Sequence, residues 1–154
     1  MQFYNMEKLN FPDYLISLKS KENKPHIFDV IRKKWLVLSP EEWVRQHCIH
    51  FLINEKNHPA SLIQVEKTIQ INQIKKRYDL IAYNNTKEVE ILVECKSPAV
   101  VITQKTFDQI AQYNLTLKSK YLMVTNGIKH YYCQMDFDKK NYIFLKELPY
   151  YRKN

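Results

Sequence analysis

Apolar positions along this chain fall into two kinds of repeat. From Leu62 to Ile71, β-branched residues alternate with Gln64, Glu66, Thr68 and Gln70, which predicts a strand buried on one face. Lys76–Tyr83 and the continuous apolar run Ile91-Leu92-Val93-Glu94-Cys95-Lys96 predict two more, separated by the turn-rich Asn84-Asn85-Thr86-Lys87. Tyr121–Thr125 is a fourth, buried strand. It is followed by Asn126-Gly127, a short hairpin signal that holds the chain's only glycine, then by a returning strand over Ile128–Met135. Tyr142–Leu145 predicts a last edge strand. Near the N-terminus, Tyr14–Leu18 and Pro25–Phe28 flank the polar Lys19–Lys24, a hairpin with a charged tip.

Two segments carry the longer helical period. Ser39-Pro40-Glu41-Glu42 combines an N-cap serine, a proline suited to the first helical position and an S-x-x-E box. Val44, Cys48, Phe51 and Leu52 supply the buried stripe of that helix, which should end between Ile53 and His58 before Pro59. Thr103 caps a second helix over Gln104–Leu117, with Phe107, Ile110, Ala111 and Leu115 on its apolar face and Gln109 and Tyr113 four apart on one side. Strands and helices interleave, so the expected class is α/β. Residues 1–38 are expected to form an extension, with a β-hairpin, packed on a core of residues 39–154.

The chemistry enters at the end of the third strand of that core. Successive strand residues alternate faces, so Glu94 and Lys96 point one way and Cys95 the other. If the preceding hairpin centres near Thr86–Lys87, Asp79 falls opposite Glu94, with Cβ atoms roughly 4.5–5.5 Å apart. Two carboxylates that close raise each other's pKa unless a cation lies between them. A hard divalent ion, Mg²⁺ foremost, takes such oxygen ligands. The plainer alternative is a surface salt bridge worth less than about 1 kcal/mol. Glu42 is either one half of the capping box or a further acidic ligand. Gln109 and Tyr113 either hold a phosphate or the lysine, or pack at the edge of the core with the phenol in water.

Composition narrows the partners. The 154 residues are one domain's worth, too few to include a helicase or motor. Lys and Arg number 24 against 16 acids, a net charge of +8 that favours a polyanion such as nucleic acid. Within Asp29–Leu38, the run Arg32-Lys33-Lys34 either tracks phosphates or guards a sheet edge. Three widely spaced cysteines argue against a disulfide framework, and His47, Cys48 and His50 lack the spacing of a zinc site. No apolar run approaches the ~20 residues of a membrane span, and no signal-peptide core is present. No membrane association and a cytoplasmic location are expected.

Asp79 followed by Glu94-x-Lys96 resembles the PD-(D/E)xK nuclease motif, with Tyr78 where proline would precede the acid. Pro40-Glu41-Glu42-Trp43-Val44-Arg45-Gln46, Lys76-Arg77-Tyr78-Asp79, Glu94-Cys95-Lys96-Ser97-Pro98, Phe107–Asn114 and Val124-Thr125-Asn126-Gly127 extend the likeness. From about Leu9 onward the chain resembles the N-terminal nuclease domain of the restriction subunit of type I restriction enzymes, in a stand-alone form. The resemblance implies a restriction-endonuclease-like fold, a central mixed β-sheet flanked by helices. It also implies a metal-dependent DNA endonuclease that hydrolyses phosphodiester bonds. Its catalytic residues would be Asp79, Glu94, Lys96, Glu42, Gln109 and Tyr113. Asp79, Glu94 and Glu42 would hold Mg²⁺, with Mn²⁺ as substitute, and Glu41 is the other first-helix acid. DNA is the implied partner, along with a separate helicase/translocase or restriction-modification subunit, and a homodimer stays open. The alternative is a catalytically silent nucleic-acid-binding or protein-adaptor domain of the same fold.

Overall fold

The computed structural model describes residues 6–152, so residues 1–5 of the expected extension and 153–154 of the expected core lie outside the described residues. Strands β1 (Leu18–Lys21), β2 (Lys24–Asp29) and β3 (Lys34–Val37) form an antiparallel sheet in that order. The hairpin is tighter than its charge pattern suggests. Glu22 and Asn23 alone make the turn, with φ of 53° and 63°, so Lys19–Lys21 are drawn into the strand and Tyr14–Ser17 lie outside it. Two consecutive positive-φ residues match the right-handed twist of the strands they join. The basic run ends in β3, and Arg32 turns inward rather than lining an edge.

Helix α1 spans Pro40–Asn54, and the Ser39 hydroxyl accepts from the Glu42 N–H at 3.0 Å. A six-stranded sheet follows, in the order β4 (Ile63–Ile71), β5 (Ile74–Tyr83), β6 (Val89–Cys95), β7 (Tyr121–Thr125), β8 (His130–Asp136) and β9 (Asn141–Leu145). Only β6 and β7 run parallel, and α2 (Gln104–Leu117) is the crossover between them. The sheet is therefore mixed, as the resemblance implied.

Each face of the sheet carries one helix, and alternation along the strands sorts the core into two layers. Leu80, Ala82, Val93, Cys95 and Met123 pack with Val44, Cys48, Ile49 and Leu52 of α1. Ile81, Leu92, Leu122, Val124 and Cys133 pack with Phe107, Ile110 and Ala111 of α2. Cys95 thus points away from Glu94, into the α1 layer, with its sulfur 3.8 Å from that of Cys48.

The Asn126-Gly127 pair does not make a two-residue hairpin. Thr125 pairs with His130, leaving a four-residue loop in which Asn126 Oδ1 accepts from the Ile128 and Lys129 N–H groups. Gly127 is required there. Its φ is +88°, and a Cβ would meet Leu9 Cδ2 at 2.8 Å and Val44 at 3.0 Å. The leader lies across this loop, since the Asn10 N–H donates to the Gly127 carbonyl at 2.8 Å.

Candidate functional site

β6 ends at the site while β5 runs past it, and the register between the two strands places its acids. Leu80 pairs with Val93, Ile81 with Leu92 and Ala82 with Ile91; continued one step outward, that register sets Asp79 opposite Glu94. Asp79 Oδ2 accepts the Cys95 N–H at 2.7 Å, which fixes its carboxylate against the end of β6. Glu94 is only 8% exposed, and its Oε1 is buried without a hydrogen-bond partner among the described residues. Burial and the adjacent Asp79 charge push the Glu94 carboxyl up to about 8, against the pull of Lys76 and Lys96.

The acids of α1 reach this point through Arg45. Its guanidinium lies 2.6 Å from Glu42 Oε1, 3.0 Å from Asp79 Oδ1, 3.2 Å from Glu41 Oε1 and 3.4 Å from Glu66 Oε1. Glu42 Oε2 accepts from Gln46 Nε2 at 3.0 Å. Glu42 is therefore held by a cation and an amide of its own helix. Glu41 is half exposed and touches only the outer edge of the same guanidinium. Among the described residues, no group of three or more His, Cys, Asp or Glu side chains is placed to hold a metal ion. The structure brings Asp79 and Glu94 together directly and adds Glu42 through Arg45.

A second ring of charge surrounds the first. Arg32, from the turn between β2 and β3, lies 2.8 Å from Asp29 and 2.7 Å from Glu66, and Gln46 Nε2 donates to Asp29 Oδ2 at 3.2 Å. Asp29 is fully buried. Burial would raise its pKa, but hydrogen bonds from the Arg32 backbone and guanidinium, from Gln46 and from the Ile31 N–H hold it below the usual carboxylate range. Arg77 meets Glu66 at 2.5 Å. Arg45, Arg32, Asp29 and Glu66 were not anticipated as site residues. The one signal in the sequence was that Arg45 follows Glu41 and Glu42 at helical spacings of four and three.

The remaining expected residues are less closely gathered. Tyr113 is half exposed, and its ring lies 4.1 Å from the ammonium of Lys76, not of Lys96. Lys76 lies 5.3 Å from the Tyr78 ring as well. Gln109 is exposed one turn earlier on α2, with no side-chain hydrogen bond among the described residues. The Lys96 N–H donates to the Thr125 carbonyl at 2.8 Å, continuing the β6–β7 ladder one step beyond Cys95. A cavity of about 460 Å³ lined by His58, Asn84, Glu90, Tyr121 and Tyr151 lies at the opposite end of β5 and β6. No helix among the described residues is long and apolar enough to cross a membrane.

Residues 40–149 match the family described as the type I restriction enzyme R protein N terminus (HSDR_N). The chain belongs to that family. No curated protein matches it. As a member of the HSDR_N family it has a nuclease-related role in restriction, with DNA and restriction-modification proteins as the family's associates. The match begins at the first residue of α1, so the Asp29 and Arg32 that buttress the site come from outside it.

Proposed function

We propose that this chain is a metal-dependent DNA endonuclease domain of restriction-endonuclease-like fold, hydrolysing phosphodiester bonds in the cytoplasm alongside a separate motor or modification subunit. One observation carries the reading. Asp79 and Glu94 face each other across β5 and β6, and Glu94 keeps a buried oxygen with no donor among the described residues. A buried carboxyl oxygen in that state fits an oxygen-seeking divalent cation, which would relieve the repulsion that raises the Glu94 pKa.

Asp79 and Glu94 would hold Mg²⁺ or, in its place, Mn²⁺, leaving the other coordination positions to water and phosphate oxygens. The bound ion would supply Lewis-acid polarisation of the scissile phosphate and a water of lowered pKa. The chain's own residues do the rest. The Cys95 N–H keeps Asp79 oriented, Lys96 holds the attacking water and offsets charge that develops on the phosphoryl oxygens, and Lys76, steadied over the Tyr113 ring, draws the phosphate toward the pair. Glu42 acts at one remove, fixing Arg45 against Asp79.

The test is cleavage of supercoiled plasmid with Mg²⁺ or Mn²⁺ by the wild type beside Asp79→Ala. Cleavage that disappears in the variant is expected; equal cleavage by both overturns the assignment. One observation favours a catalytically silent adaptor instead. Arg45 already neutralises Glu42 and Asp79, and no cluster of three carboxylates is placed to hold an ion among the described residues. Absence of both cleavage and Mg²⁺ binding by calorimetry would select that reading.

A further inference from the structure

The hairpin of β4 and β5 is longer than the sheet it belongs to. β6 pairs with β5 only from Leu80 onward, so residues 67–78 pair with each other alone and extend past Asp79 and the end of β6. The pairing is interrupted at Glu66, whose φ is +54°, and resumes at Lys67 opposite Tyr78. Beyond that break the hairpin carries Lys67, Lys75, Lys76 and Arg77 and no acid. Its tip is Asn72-Gln73, both at positive φ, flanked by Gln70.

The register divides these residues between two faces. Lys67, Ile69, Ile74 and Lys76 share one, where Ile69 packs against the α2 layer and Lys76 lies over Tyr113. Thr68 pairs with Arg77 and Gln70 with Lys75 on the other, which leads directly down to Glu66 and Asp79. Thr68, Gln70, Lys75 and Arg77 are exposed. Lys67 and Lys75 form no ion pair among the described residues, and exposed cations without partners on a polar ribbon match a polyphosphate backbone.

We propose that this hairpin is a groove-binding arm that seats B-form duplex DNA with a backbone phosphate over Asp79 and Glu94. The seating over those acids rests on the nuclease reading; the arm's affinity for duplex does not. A two-stranded ribbon fits the ~12 Å major groove of B-DNA, whereas the major groove of A-form RNA is too deep and narrow to admit side chains. At about 3.3 Å per residue the tip lies about 20 Å from Asp79, or about six base pairs along the duplex. Asn72, Gln73 and Gln70 are amides, the side chains suited to adenine edges, while the lysines track the phosphates on either side.

The experiment is fluorescence anisotropy of the full chain on a labelled 20-base-pair DNA duplex, with Ca²⁺ in place of Mg²⁺, titrated over salt. Lys67→Gln with Lys75→Gln should weaken binding by about ten- to a hundredfold near 0.1 M salt and lower the slope of log K against log salt by about 2. The thermal shift produced by Mg²⁺ should not change, because neither lysine touches Asp79 or Glu94. An unchanged slope, or equal binding to an RNA duplex of the same sequence, overturns the proposal. Charge reversal, Lys67→Glu with Lys75→Glu, gives the same answer with a larger signal. Wild-type protein that binds DNA through the arm yet neither cuts it nor binds Mg²⁺ would overturn the nuclease reading and leave the arm standing.

Discussion

Arg45 sets a guanidinium nitrogen 3.0 Å from Asp79 Oδ1, tying the first helix to the strand that carries the site. The same group also compensates Glu42, and both side chains are nearly buried. Removing one partner of such an arrangement leaves uncompensated charge behind, a loss of about 3–5 kcal/mol. Arg45→Met should therefore lower the thermal midpoint by about 10 °C, at roughly 2–4 °C per kcal/mol for a chain of this size. Adding Glu42→Gln should restore more than half of that loss in urea denaturation. No recovery in the double variant would show that Arg45 acts through packing alone.

Glu94 should behave in the opposite way. Its folded pKa, about 8, lies above the unfolded value of about 4.5, so the folded state holds the extra proton between them. The stability linked to that proton is complete below pH ~4.5 and is lost as pH rises through 8. Glu94→Gln should then exceed the wild type in stability by on the order of 1–3 kcal/mol at pH 9, with the gap closing toward pH 5. Millimolar Mg²⁺ should raise the midpoint of the wild type at pH 8 and not that of the variant. A variant less stable than wild type at pH 9 would contradict the uncompensated oxygen.

Much of this site was legible because β-hairpin register is arithmetic. The turn signal at Asn84–Lys87 fixed the centre of the β5–β6 pair, and the centre set Asp79 opposite Glu94 and turned Cys95 to the other layer. The Ala82/Tyr83 irregularity lies between the turn and these pairs: Tyr83 meets Val89 and Ala82 meets Ile91, so one extra residue on β6 shifts the register into the one that sets Asp79 against Glu94. Arg32 and Arg45 were not legible for a physical reason. Long side chains from two elements distant in sequence reach the same carboxylates, and the helical spacing of Arg45 from Glu41 and Glu42 says nothing of its reach to Asp79 or of Arg32's to Glu66. Helical spacing set Gln109 and Tyr113 on one side of α2 without saying which cation the ring would meet; the β4–β5 arm brings Lys76 there.

Acid should destabilise the fold through its histidines. His47, His50, His58 and His130 all have pKa values lowered by burial, with backbone hydrogen bonds opposing that shift only in part at His47, His58 and His130. Each must lose burial or take up a costly proton, so the unfolded state binds more protons below its pKa of about 6.5. Their contribution is complete above that pH and is lost as pH falls through it. Glu94 works against this trend over the same range, so the Glu94→Gln background isolates it. The midpoint of that variant should fall steadily from pH 7.5 to 5.5; a flat profile would mean the rings are more hydrated than their burial implies.

Lys96 and Tyr113 can be told apart by what each substitution leaves behind. Lys96 leaves the end of β6 with its backbone already bonded to Thr125, so Lys96→Met keeps the ladder and removes only the charge. A group that holds the attacking water and offsets phosphoryl charge contributes about 10²-fold or more to rate. Lys96→Met should lose that much plasmid cleavage with a nearly unchanged thermal midpoint. In the proposed reaction Tyr113 would act through its ring face on Lys76, so Tyr113→Phe should cut normally and Tyr113→Ala several-fold more slowly, with the deficit in KM for DNA rather than kcat. If Tyr113→Phe were as impaired as Tyr113→Ala, the hydroxyl and not the ring would be the working group, and the pairing with Lys76 would be incidental to cleavage.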